Sequence, residues 1–213
     1  MDADRVDVYA ACDKAIKAMD RENLEAFGRL KMAKFDELNI IRTVKSVYTA
    51  SAKRAKKRYY EVAFEAYLIA MAMCEEEPKK AHVMAEKAIT EVWIEKILTD
   101  TDFVTLYRFD TEMERKAYRL AEALEVSNER DFEINKALRF WSQQLGQYAI
   151  NMTDYAVLQA FADAGVEKVM WVSEHDNRVC NECHSYDGQV FEIDELPVKP
   201  HWGCRCHYIP VLD

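Results

Sequence analysis

The stretch that decides the fold is Trp171–Pro210, WVSEHDNRVCNECHSYDGQVFEIDELPVKPHWGCRCHYIP. Of the 6 cysteines, four stand here, as Cys180-Asn-Glu-Cys183 and Cys204-Arg-Cys206, with His184, His201 and His207 interleaved. A Cys-x-x-Cys turn lets two thiolates face one ion, and a second ligand pair about twenty residues on completes a tetrahedron. The second pair is open to two readings. In a strand, Cys204 and Cys206 point to the same face and both reach one metal. Alternatively His201 and Cys204 form a His-x-x-Cys turn, leaving Cys206 as a buried thiol or displaced ligand. The four-cysteine set is favoured, with His201 as the substitute fourth ligand.

Three chemistries compete for these residues. Structural zinc is the expectation. Disulfide pairing is the second, disfavoured because the acidic, mixed N-terminus MDADRVDVYAACDK is unlike a signal peptide and cytosolic thiols stay reduced. A catalytic metal is the third, and a full thiolate shell leaves it no open position for water. A segment of about forty residues cannot bury enough apolar surface to offset its chain entropy, so a metal staple supplies the missing stability. Around the ligands three short strands are expected: Val169–Val172, Gln189–Ile193 after an Asp187-Gly188 turn, and Arg205–Ile209.

The order Ala164-Gly165-Val166, Val169-x-Trp171, Asp176-x-Arg178-Val179-Cys180-x-x-Cys183, Asp187-Gly188-x-Val190-Phe191, Pro200-His201 and Cys204-Arg205-Cys206 resembles the signature of tailed-phage head morphogenesis proteins. These are the minor head proteins similar to phage Mu F, and the resemblance covers about the last sixty residues. Trp202-Gly203 departs from the Pro and small polar residue common after that histidine. The resemblance implies a structural protein rather than an enzyme, carried in the virion near the portal and assembled in a host cytoplasm. Its implied partners are the portal and the major capsid or scaffolding protein, and packaged DNA is a further one.

The chain of 213 residues, half of them hydrophobic, is long enough for one domain or a domain with an appendage. A net charge of -9 argues against a sequence-independent DNA coat. No apolar run approaches the ~20 residues of a membrane span. From Met1 to Ala164 only Gly28, Pro78 and Gly146 interrupt a helical pattern. Helices are expected over 3–19, with Val6, Tyr9, Cys12 or Asp13, Ile16 and Met19 near one stripe, and over 23–34. The third, about 36–74, carries a seam of Ile41, Val44, Tyr48, Ser51, Ala55, Tyr59, Val62, Ala66, Ile69 and Met73. At 1.5 Å per residue it would run roughly 58 Å, as a partner-facing arm that supports self-association or as a strut in a bundle. Pro78 opens a further helix to Leu98, with Met84, Ala88, Val92 or Ile89, and Ile97 inward and His82 on the surface. Asp102 is a candidate cap. Helices follow over 111–125, over a run capped by Ser127 or Asn128, and from a Thr153 restart to Ala164, ended by Gly165.

The third helix also bears Arg42, Lys45, Lys53, Arg54, Lys56, Lys57 and Arg58, with no acid between Arg42 and Tyr60. This stripe suits DNA or an acidic protein surface. It equally suits a solvated face balanced by acids such as Glu75–Glu77. Tyr59 and Tyr60 beside it suit base stacking or seam packing. Nothing reads as catalytic machinery. Ser173, His175 and Asp176 are too close in sequence for a nucleophile–base–orienter set, and no phosphate-binding glycine loop is present. Asp176 reads as a turn cap and Arg178 as an ion-pair partner.

The expected fold is therefore mainly α, long helices in a bundle, with a small C-terminal zinc-stapled antiparallel β element. Residues 1–164 form the helical region and 165–213 the metal-binding β module. The expected function is that of a minor capsid protein in head assembly and DNA packaging or release. The alternative is a zinc-containing nuclease, using His175 or His184, or a DNA-binding protein acting on phage DNA.

Overall fold

The structure, a computed structural model, describes residues 7–34, 39–99, 108–174 and 179–212. Seven helices and three strands are described: α1 (Ala10–Met32), α2 (Ile40–Met73), α3 (Pro78–Ala88), α4 (Glu91–Thr99), α5 (Phe109–Val126), α6 (Arg130–Asp163), β1 (Lys168–Val172), α7 (Asn181–Tyr186), β2 (Val190–Glu192) and β3 (His207–Val211). The mainly α fold with a small C-terminal antiparallel sheet is the expected one.

The 34-residue α2 is the central strut, about 51 Å long at 1.5 Å per residue, and packs against α6, α1, α5 and α3. Its buried stripe is Ile40, Val44, Tyr48, Ser51, Ala55, Tyr59, Val62, Ala66 and Ala70. Ile41, Ile69 and Met73 from the expected seam are only half-buried. The steps are mostly four, so the stripe follows the natural twist of a straight helix rather than a coiled-coil repeat. Neighbouring helices of the same chain fill it. The thin middle of the seam has a physical cause. Ser51 Oγ donates to Asn23 Oδ1 at 2.5 Å and accepts from Trp141 Nε1 at 2.9 Å, so the small residue admits an indole from α6. Phe27, Tyr48, Trp141 and Phe109 then pack ring on ring around that point.

Three helix boundaries differ from expectation. The helices expected over 3–19 and 23–34 are one helix among the described residues, in which Asn23 is buried in mid-helix and hydrogen-bonded by Ser51. The single helix expected from Pro78 to Leu98 is broken at Ile89 and Thr90. Thr90 Oγ1 accepts from the Trp93 N–H at 3.1 Å, a side-chain cap that starts α4. This turns Ile89 inward and leaves Val92 exposed. Conversely, α6 runs unbroken through Gly146 and Thr153. Residues 144–153 are all buried, and Thr153 Oγ1 bonds the Ala149 carbonyl at 3.1 Å inside the helix. Packing overrides weak local propensity there. Ser127 Oγ accepts from the Glu129 N–H, yet Glu129 is the residue at the N-cap of α6. Gly165, at φ 77°, ends α6 as expected. The expected Asp102 cap and Val6 of the first stripe lie outside the described residues.

The sheet has the order β2-β1-β3 and both pairings are antiparallel. Val169 faces Phe191 on one side and Pro210 on the other. Gly188, at φ 75°, closes the turn into β2, and its N–H donates to the Trp171 carbonyl at 2.8 Å. Trp171 is fully buried, with Tyr186 and Tyr208 against its ring. β3 begins two residues later than expected, so Cys204, Arg205 and Cys206 precede the strand. β2 is shorter by one residue at each end.

Candidate metal centre

The Cys180–Cys183 turn is built as a helix start, which the sequence reading missed. Cys180 is the N-cap of α7 and its Sγ accepts the Cys183 N–H at 3.3 Å. Ser173, just beyond β1, ties this turn to the sheet. Its Oγ donates to the Cys183 carbonyl at 2.7 Å, and its N–H donates to Asp187 Oδ1 at 2.7 Å. From the other side come His201 and the Cys204–Cys206 segment that leads into β3. There Cys204 and Cys206 are buried and Arg205 turns away toward α1.

Five side chains meet here in two groups that share Cys183. One is Cys180, Cys183 and His201; the other is Cys183, Cys204 and Cys206, and within each group the donor atoms lie within 4.8 Å of one another. Cys183 Sγ is 3.5 Å from His201 Nε2 and 3.5 Å from Cys204 Sγ. Bond lengths of about 2.3 Å to sulfur and 2.0 Å to nitrogen give a tetrahedral zinc site edges of about 3.8 Å for S···S and 3.5 Å for S···N. These two separations are close to tetrahedral edges, and each group of three could hold a metal ion; the two groups have only Cys183 in common. His201 Nδ1 lies 3.0 Å from the Trp202 carbonyl, which directs Nε2 toward the sulfurs.

The thiols also perturb one another's acidity. Burial pushes Cys183 up to about 12. The neighbouring Cys204 and Cys206 thiols shift one another, Cys204 upward and Cys206 downward. A cation held among them would take the place of thiol protons, since thiolates and not thiols are the ligands.

A second cluster fastens this element to the helices. Lys199 Nζ lies 2.8 Å from Asp154 Oδ1 on α6 and 2.6 Å from the Tyr9 hydroxyl. Tyr9 donates to Asp154 Oδ1 at 2.5 Å and lies 3.2 Å from the Cys206 carbonyl. Burial pushes the Asp154 carboxyl up, while Lys199 opposes the rise. Arg205 packs over the Tyr9 ring and pairs with Asp13 at 2.9 Å. These contacts span up to 190 positions in sequence, which is why no local pattern pointed to them.

The basic stripe of α2 is partly neutralised, by acids other than Glu75–Glu77. Lys45 pairs with Glu114, Lys56 with Glu95 and Asp110, and Arg54 and Arg58 both with Glu22. Among the described residues no acid pairs with Arg42, Lys53 or Lys57. Tyr59 is buried and donates to the Leu145 carbonyl; Tyr60 is exposed and stacks on Phe64. His184 is exposed on α7 and belongs to neither donor group. His175, Asp176 and Arg178 lie outside the described residues. Cys12 is buried, as expected of a core thiol.

Residues 112–209 match the family model of phage Mu protein F like protein. That bears out the resemblance carried by the C-terminal motifs and extends it upstream through all of α6 into α5. No curated protein and no solved structure matches the chain. Among the described residues no helix is long and apolar enough to cross a membrane.

Proposed function

We propose that this chain is a minor head protein of a tailed phage or prophage, with a C-terminal element stapled by one structural zinc ion. The observation that carries this reading is the family match, which takes in α6 and the cysteine cluster together. The structure supports treating them as one unit, because Lys199 and Arg205 tie the cysteine segment to α6 and α1. The helical region, 1–164, supplies docking surfaces toward the portal, capsid or scaffold, and 165–213 is a rigid module seated on it.

Cys180, Cys183, Cys204 and Cys206 hold the zinc, with His201 as the alternative fourth ligand. When bound, the ion supplies folding stability, since four protein ligands leave no position for a reacting water. Ser173, Asp187 and the α7 backbone pre-position the thiols. Any contact with packaged DNA falls to the Arg42–Arg58 face, where Arg42, Lys53 and Lys57 are the cations that no acid pairs with among the described residues.

The test is deletion of the gene in the phage or prophage that carries it, with mass spectrometry of purified heads. The expected result is that the chain is found in wild-type heads and that deletion yields heads defective in DNA packaging or release. Absence from purified heads, with normal heads after deletion, overturns the reading.

A further inference from the structure

The loop joining His201 to Cys204 carries Trp202 to the surface, where it walls one end of a groove of about 760 Å³ between α1 and α6. Ile16, Leu24, Leu138 and Ile150 give the groove an apolar lining. Leu24 is 63% exposed and Trp202 48%. Exposed Leu24 and Trp202 beside half-buried Ile16 and Leu138 leave apolar side chain that a partner would remove from water. Its floor is preformed. The Gly203 N–H donates to Gln147 Oε1 at 2.7 Å, and Gln147 Nε2 donates to Asn151 Oδ1 at 2.9 Å.

Two opposite charges stand on the rim, Asp20 on α1 and Arg139 on α6. Among the described residues neither makes an ion pair. We propose that this groove is an isologous contact at which two copies of this chain pair. In a two-fold interface one patch meets itself, so each residue's partner is met reciprocally. An acid on one wall and a base on the other are then complementary, Arg139 of one copy facing Asp20 of the other. Leu24 and Trp202 cover the apolar lining of the opposite groove. The net charge of -9 opposes pairing of copies, and a neutral, apolar patch is where that repulsion is least. This inference stands apart from the head-protein reading, because it rests on the groove alone.

The experiment is sedimentation velocity on the full chain from about 1 to about 100 μM, the range in which a contact of modest size dissociates. The expected result is a concentration-dependent monomer–dimer equilibrium. D20R and R139D each weaken it about tenfold, the D20R/R139D pair recovers most of the loss, and L24E abolishes it. All three side chains are exposed, and a circular dichroism melt confirms that each variant folds. A monomer throughout overturns the proposal and leaves the groove to a different protein. A dimer indifferent to these substitutions, or one that the double variant fails to recover, overturns it as well.

Discussion

Lys199 Nζ and Asp154 Oδ1 lie 2.8 Å apart with side chains only 8% and 14% exposed, a nearly buried ion pair joining the cysteine segment to α6. Such a pair adds little over an apolar replacement, but removing one partner strands the other charge. Lys199→Met is therefore expected to cost about 3–5 kcal/mol in urea unfolding. Lys199→Met with Asp154→Asn is expected to cost clearly less than the sum of the singles. Additive losses would mean that the two residues act separately.

Glu112 is the buried carboxylate of α5. Burial raises its pKa, but Arg115 at 2.7 Å and Lys116 at 3.2 Å outweigh that and hold it below the ordinary value. A lowered folded pKa contributes stability that is present above the unfolded value of about 4.3 and is lost as pH falls through the folded value. Glu112→Gln is expected to cost about 1–2 kcal/mol at pH 7, because its cationic partners are part-exposed. The gap from wild type is expected to close below about pH 4. Denaturant melts at several pH values measure it, and a pH-independent gap would count against the ion pairs.

Ser51 serves both Asn23 and Trp141 at the middle of α2. Ser51→Val leaves the indole N–H and the amide oxygen buried without that partner, at an expected cost of about 2–3 kcal/mol in urea unfolding. Ser51→Thr keeps the hydroxyl and is expected to cost less. Equal costs would point to volume rather than hydrogen bonding.

Thiol chemistry separates the two cysteines outside the cluster. Burial pushes Cys12 up to about 12, and burial also raises the half-buried Cys74. Alkylation of the native protein, read by peptide mass spectrometry, is expected to label Cys74 first and Cys12 last. The remaining four are expected to become reactive only after chelation. Early labelling of Cys12 would contradict its place in the core.

The fold was legible where patterns are local and long. The α2 stripe, the Pro78 start, the Gly165 stop and the Asp187-Gly188 turn follow from periodicity and backbone chemistry. The joint at Thr90 was also visible in principle, as a threonine cap three residues before Trp93. The continuity of α1 and α6 was not, because it comes from burial of Asn23 and of residues 144–153 by helices distant in sequence. For the candidate metal centre, residue types and spacing pointed to the five side chains that the fold brings together. What spacing could not show is that Cys183 sits in both donor groups, or that Tyr9, Asp154 and Lys199 lie behind the cluster.

The most direct test of the central claim is the zinc content of the purified protein by elemental analysis, paired with thiol titration under denaturing conditions. The expected result is one zinc per chain, released by a chelator, with all 6 cysteines titrating as free thiols. Cys180→Ser and Cys204→Ser are each expected to lose the metal and unfold the C-terminal element. No zinc and only two titratable thiols would contradict the account and make the cluster a pair of disulfides.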